Sequence, residues 1–129
     1  MLNKLKYHHI GYIVDQTQKI TIENKLSKKF IFDKVQGTHI LFTKDPSNLY
    51  LIEYILKEGR VKNLNTGFAH ICYEVENEIH LETIALYIKD NSIGIPVTKL
   101  EKSSSSECNW VQFYYIRNNG LVEFNVISK

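Results

Sequence analysis

Cysteine is scarce in this chain: Cys72 and Cys108 are the only two, and no C-x-x-C spacing occurs. That excludes both a disulfide framework and a thiolate zinc site, and two thiols suit a reducing cytoplasm, where we expect the protein to reside. An excess of charge of one sign is also missing, since 16 Lys plus Arg oppose 14 Asp plus Glu for a formal net charge of +2. Without a concentrated positive field, nucleic acid is not an expected partner. No apolar run approaches the roughly 18 residues of a membrane span, so no membrane association is expected. The basic start Met1 to Tyr7 leads into a strand pattern rather than into a long apolar segment with a small-residue cleavage site, which does not indicate secretion. With 129 residues there is material for one domain.

Tyr7 to Val14 is rich in β-branched and aromatic residues and stops at Asp15, which opens Asp15-Gln16-Thr17-Gln18, an N-cap followed three residues later by Gln. A helix carrying Ile22, Leu26 and Phe30 at i, i+4 and i+8 is expected next. Phe30 to Phe32, Thr38 to Thr43 and Leu49 to Leu56 read as strands, punctuated by Gly37 and the turn Asp45-Pro46-Ser47-Asn48. Lys57 to Gly67 reads as an exposed connection. After it, Phe68 to Val75 is strand-like and Glu78 to Asn91 places Leu81, Ile84, Ala85 and Ile88 on one helical face. Ile95 to Leu100, Asn109 to Ile116 and Leu121 to Ile127 supply three more strands, separated by the Ser103 to Ser106 run and the turn Asn118-Asn119-Gly120. The serine run reads as a flexible loop, with a lid over a site as its alternative.

The order β-α-β-β-β thus occurs twice, about residues 5–57 and 67–129, and the repeat extends to residues. His9-Ile10-Gly11-Tyr12-Ile13-Val14 aligns with His70-Ile71-Cys72-Tyr73-Glu74-Val75, and Leu51-Ile52-Glu53-Tyr54 with Leu121-Val122-Glu123-Phe124. Glu53 shares its strand face with Leu49, Leu51 and Ile55, and Glu123 shares one with Leu121 and Ile127. An ionised carboxylate in such a setting costs several kcal/mol unless it is paired or metal-bound. Imidazole is the commonest nitrogen ligand of divalent metals. A single strand His or Glu is ordinarily a satisfied core or surface residue. Four at repeat-equivalent positions make His9, Glu53, His70 and Glu123 a candidate metal set. His8 points to the opposite strand face from His9. His39 is a candidate for the same cavity, His80 reads as solvated, and Cys72 as an ordinary buried residue.

These residues, in this order, resemble the vicinal oxygen chelate superfamily, most closely its glyoxalase and methylmalonyl-CoA epimerase branch. The resemblance spans nearly the whole chain. It implies an α+β fold of two β-α-β-β-β modules forming a curved eight-stranded mixed sheet with the helices outside, and metal ligands at His9, Glu53, His70 and Glu123. One departure stands out: many epimerases of the branch carry a carboxylate just before a Gln-Gly, where this chain has Val35 before Gln36-Gly37. No phosphate cradle for coenzyme A is evident, and Trp110, Phe113, Tyr114 and Tyr115 are bulky enough to narrow the cavity.

The expected cofactor is a divalent metal: zinc, nickel, cobalt, manganese or iron. With open positions on the ion, a small-molecule substrate bearing adjacent oxygens, such as a thioester or 2-oxo compound, would chelate it. Proton transfer through an enediolate would follow, with Glu123, or Glu53 by the pseudo-symmetry, as base. Return of the proton to the adjacent carbon is glyoxalase-type isomerisation, and delivery from the opposite face is epimerisation. The alternative is a non-catalytic protein of the same fold that binds or sequesters a small molecule, with each Glu paired to a His without an ion. A dioxygenase is disfavoured because oxygen-activating sites typically use a facial triad of two His and one carboxylate, whereas here Glu53 already occupies a fourth position. Oligomeric state is left open, a homodimer included.

Overall fold

The computed structural model describes residues 4–102 and 110–127, so the serine run and Cys108 lie outside the described residues. The chain divides into two compact units, His9–Ala69, and His70 onward together with the residues up to His8. Along the chain a β-α-β-β-β series is followed by a second series of the same order with one strand more, and the fold class is α+β.

The first module contains β1 (Lys6–Val14), α1 (Gln16–Leu26), β2 (Ile31–Asp33), β3 (Thr38–Lys44) and β4 (Leu51–Leu56). Its strands lie in the order β2-β3-β4-β1, with β1 and β4 parallel and the other pairs antiparallel. Asp15 caps α1 as its sequence suggests: its side chain accepts from the Gln18 amide at 2.8 Å and Gln18 returns a bond to the Asp15 amide at 2.9 Å. Ser27, in the left-handed conformation with φ 53°, ends the helix. Phe30 therefore lies beyond the helix and does not extend its apolar stripe. It is nevertheless buried, with Val14, Leu41 and Leu56, where Ile22 and Leu26 of α1 pack. The opposite sheet face carries a separate cluster of Ile13, Ile40 and Ile55.

After β4 a 3-10 turn, Gly59–Val61, locks against the turn that follows β2. Both glycines at that contact need their backbone freedom. Gly37 has φ +68°, and Gly59, at φ +54°, would place a Cβ 2.1 Å from the Gly37 carbonyl oxygen. Arg60 completes the lock by donating to the Val35 carbonyl at 3.0 Å.

The second module contains β5 (Gly67–Val75), α2 (Glu78–Asp90), β6 (Gly94–Pro96), β7 (Glu101–Lys102), β8 (Trp110–Ile116) and β9 (Gly120–Val126). β5 and β9 are parallel, β8 is antiparallel to β9, and both β6 and β7 pair antiparallel with β8. Here the sequence reading needs correction. The strand expected over Ile95 to Leu100 ends at Pro96, after which the Val97 and Thr98 amides both bond the Phe113 carbonyl rather than continuing a ladder, and a separate short strand, β7, begins at Glu101. The described residues therefore hold nine strands rather than eight. Leu81, Ile84 and Ile88 of α2 pack on Val75, Tyr114, Ile116, Val122, Phe124 and Val126. The helix covers one sheet face and leaves the face of His70 and Glu123 to other uses.

Candidate functional site

Strand periodicity and register bring one His and one Glu together within each module. In β1 and β4, Glu53 lies opposite Gly11, two residues past His9 and hence on the same face. His9 Nε2 is 3.1 Å from Glu53 Oε1. In β5 and β9, Glu123 lies opposite Cys72, two residues past His70, and His70 Nε2 is 3.0 Å from Glu123 Oε1. All four side chains are buried, at 0% and 2% exposure for His9 and Glu53 and 0% and 5% for His70 and Glu123.

The duplication includes the walls. Phe42 is the β3 partner of Glu53, and Phe113 is the β8 partner of Glu123. Each ring meets the histidine of its own module edge to face, with centroids 5.1 Å apart at 85° for His9–Phe42 and 5.2 Å apart at 84° for His70–Phe113. The aromatic edge packs against the imidazole and excludes water from it. Of the four bulky β8 residues, only Phe113 flanks His70 in this way. Tyr114 belongs to the helix-side cluster, Trp110 packs against it, and Tyr115 is exposed.

Two residues that sequence reasoning passed over bear on Glu53. Gln36 Nε2 donates to Glu53 Oε2 at 2.8 Å and lies 2.9 Å from Asp33 Oδ2, while Asp33 Oδ1 accepts from the Val35 amide at 3.1 Å. Asp33 and Val35 are buried. The Asp-x-x-Gln spacing, with Gly37 allowing the turn, was the available signal. A third missed residue is Asn125, which shares the β9 face of Glu123 and is fully buried.

Other expectations change. His39 does not share the face of Phe42; it meets Phe32 edge to face and pairs through Nδ1 with Glu58. That hydrogen bond holds the Glu58 carboxyl below the usual range, assisted by the His39 amide and Thr38 and opposed by burial. His80 is half-buried, and its Nδ1 accepts from the Glu76 amide at 3.4 Å. Cys72 is buried as expected. Leu49 precedes β4 and Ile127 follows β9, both exposed, so neither shares the glutamate faces. A groove of about 810 Å³ between α2, β6 and β8 contains neither His70 nor Glu123.

No helix of the described residues is long and apolar enough to cross a membrane. No protein-family model matches the chain, and no curated protein sequence matches it. Solved structures do. A hypothetical protein from Bacillus halodurans matches with TM-score 0.64 at 20% identity over 98% of this chain and 95% of its own. Methylmalonyl-CoA epimerase from Mycobacterium tuberculosis matches with TM-score 0.62 at 13% identity, covering 94% of this chain and 87% of the epimerase. A variant of the Streptomyces coelicolor methylmalonyl-CoA epimerase in complex with 2-nitronate-propionyl-CoA matches with TM-score 0.60 at 15% identity, over 95% and 98% of the two chains. The resemblance read from the ordered His, Glu, His and Glu is thus carried by the structure, and the chain has the fold of the vicinal oxygen chelate superfamily.

Proposed function

We propose that His9, Glu53, His70 and Glu123 together hold one divalent metal ion, and that the protein is an enzyme moving a proton at the carbon beside a carbonyl. Glyoxalase-like isomerisation and methylmalonyl-CoA epimerase-like epimerisation are its two forms. The observation that carries the reading is the buried His–Glu pair formed once in each module, with the same aromatic wall. The donor set fits such an ion. Two imidazole nitrogens and two carboxylate oxygens suit a first-row divalent metal, and two carboxylates balance its charge, which offsets the cost of burying them.

A bound divalent ion would supply positive charge to the carbonyl oxygen of the substrate and so acidify the neighbouring C–H. The chain's own residues do the rest. Phe42 and Phe113 keep water from the histidines, and Gln36 occupies Glu53 Oε2, which suits Glu53 to a fixed position. Glu123 is then the base we assign, taking the proton on a carboxylate oxygen and returning it. Val35, where a further acid would serve two-base epimerisation, is apolar and buried, which favours return of the proton by the site glutamates.

Elemental analysis of protein purified without chelator, set against a His70→Ala, Glu123→Ala variant, tests the ion: equal metal content in both would end the reading. Incubation of metal-loaded protein with 2-oxo thioesters or hemithioacetals in D2O tests the chemistry. Deuterium should enter the substrate α-position with wild type and not with Glu123→Gln. A second reading has one observation in its favour: His9 Nε2 is hydrogen-bonded to Glu53 Oε1, as a metal-free binding protein would require of a buried carboxylate. Such a protein would bind its ligand equally with and without chelator.

A further inference from the structure

The two modules serve as each other's control, and at one position on the glutamate-bearing faces they differ in kind. Two residues beyond Glu53 on β4 is Ile55, which faces Ile13 on β1 and Ile40 on β3 in register and packs with both. Two residues beyond Glu123 on β9 is Asn125, whose register partners are Glu74 on β5 and Val111 on β8. Asn125 is 0% exposed, and neither its amide nitrogen nor its amide oxygen has a hydrogen-bond partner among the described residues. Glu74 is engaged elsewhere, with Lys6 Nζ 3.6 Å from its carboxylate.

Leaving a buried amide unpaired is destabilising, and the first module shows that an isoleucine is accommodated at the equivalent place. Folding therefore does not call for an asparagine here. We propose that Asn125 is a specificity-determining residue, whose amide hydrogen-bonds a polar group at the end of the substrate remote from its chelating oxygens. This deepens the proposed function and rests on it. Successive same-face residues of a strand are about 7 Å apart, so the group recognised lies a few bonds beyond the atoms held near Glu123. An amide offers one acceptor and two donors, which matches a carboxamide or hydroxyl and rejects an alkyl tail. The substrate class that follows is a small 2-oxo or 2-hydroxy compound with a neutral polar tail.

Two acids with the same chelating head and tails of the same shape provide the test: 2-hydroxysuccinamate, ending in a carboxamide, and 2-hydroxy-4-methylpentanoate, ending in an isopropyl group. Calorimetric affinities are measured for cobalt-loaded wild type, Asn125→Leu and Asn125→Ala, the last serving if the leucine variant does not fold. Wild type should prefer the amide by about tenfold or more, and the variants should lose or reverse that preference. A wild type without preference, or variants that retain it, would overturn the assignment. Urea unfolding of metal-free protein adds a measure independent of the ion. Asn125→Leu should raise the midpoint if the amide awaits a substrate and lower it if the amide serves the fold. If neither acid binds the cobalt-loaded wild type, the chelation reading fails, and the direction of that midpoint decides for or against Asn125.

Discussion

Gln36 is the residue through which a turn reaches the candidate metal ligands. Its amide nitrogen lies within hydrogen-bonding distance of two buried carboxylates, Asp33 and Glu53. Gln36→Leu removes that donor from both, at a cost of about 1–3 kcal/mol for each acceptor left unsatisfied. Urea unfolding should show the loss, and metal affinity should fall about 10- to 100-fold, as for other residues that orient a ligand. Unchanged affinity would show that Glu53 needs no such support. Glu58 makes a prediction of the opposite kind, on pH. Its folded pKa is lowered chiefly by the hydrogen bond with His39, so the unfolded state binds the proton more readily. The stability it contributes is present above the unfolded value and is lost as pH falls through the lowered folded one. His39→Ala should therefore flatten the acid limb of a stability profile, measured by urea unfolding across the acid range.

Among the elements, the 3-10 turn at Gly59–Val61 has more consequence than its length suggests. It sits against Gly37 and Val35, the neighbours of Gln36, so its packing determines where the Gln36 amide points. Gly59→Ala puts a Cβ against backbone and adds left-handed strain of about 1 kcal/mol or more. We expect a lower thermal midpoint and, if the turn positions Gln36, weaker metal binding than stability loss alone explains. Gly120→Ala is the comparison: it has φ +85° but nothing near its added Cβ, so it should cost stability without touching metal affinity.

For the whole molecule, the reading of four ligands drawn from both modules predicts a single linked effect. A divalent ion that binds only the folded chain raises stability by about 2.7 kcal/mol at a hundredfold excess over its dissociation constant. His9→Ala and His70→Ala should each abolish most of that gain, although they lie in different modules, and the double variant should do little more. Two independent sites would instead lose half with each substitution. Scanning calorimetry with and without zinc or manganese separates the two outcomes.

How much was legible beforehand follows from the range of the forces involved. Asp15-Gln16-Thr17-Gln18 signals its helix because a capping box is satisfied within four residues, and the β-branched runs signal strands because period-two burial is written along the chain. Duplication made the paired His and Glu legible too, since equivalent residues in equivalent modules share a strand face whatever the details. Phe30 past the end of α1, the broken strand around Pro96 and the pairing of His39 with Glu58 were decided by tertiary contacts. So were the Gln36 bridge and the lack of a side-chain partner for Asn125 among the described residues, because a hydrogen bond across 17 residues, or its absence, depends on which strand lies alongside. The sequence by itself determined the elements, their repetition and the residue types on each face. Only the tertiary structure decided which polar atoms meet, because a few tenths of an ångström separate a hydrogen bond from a buried group without one.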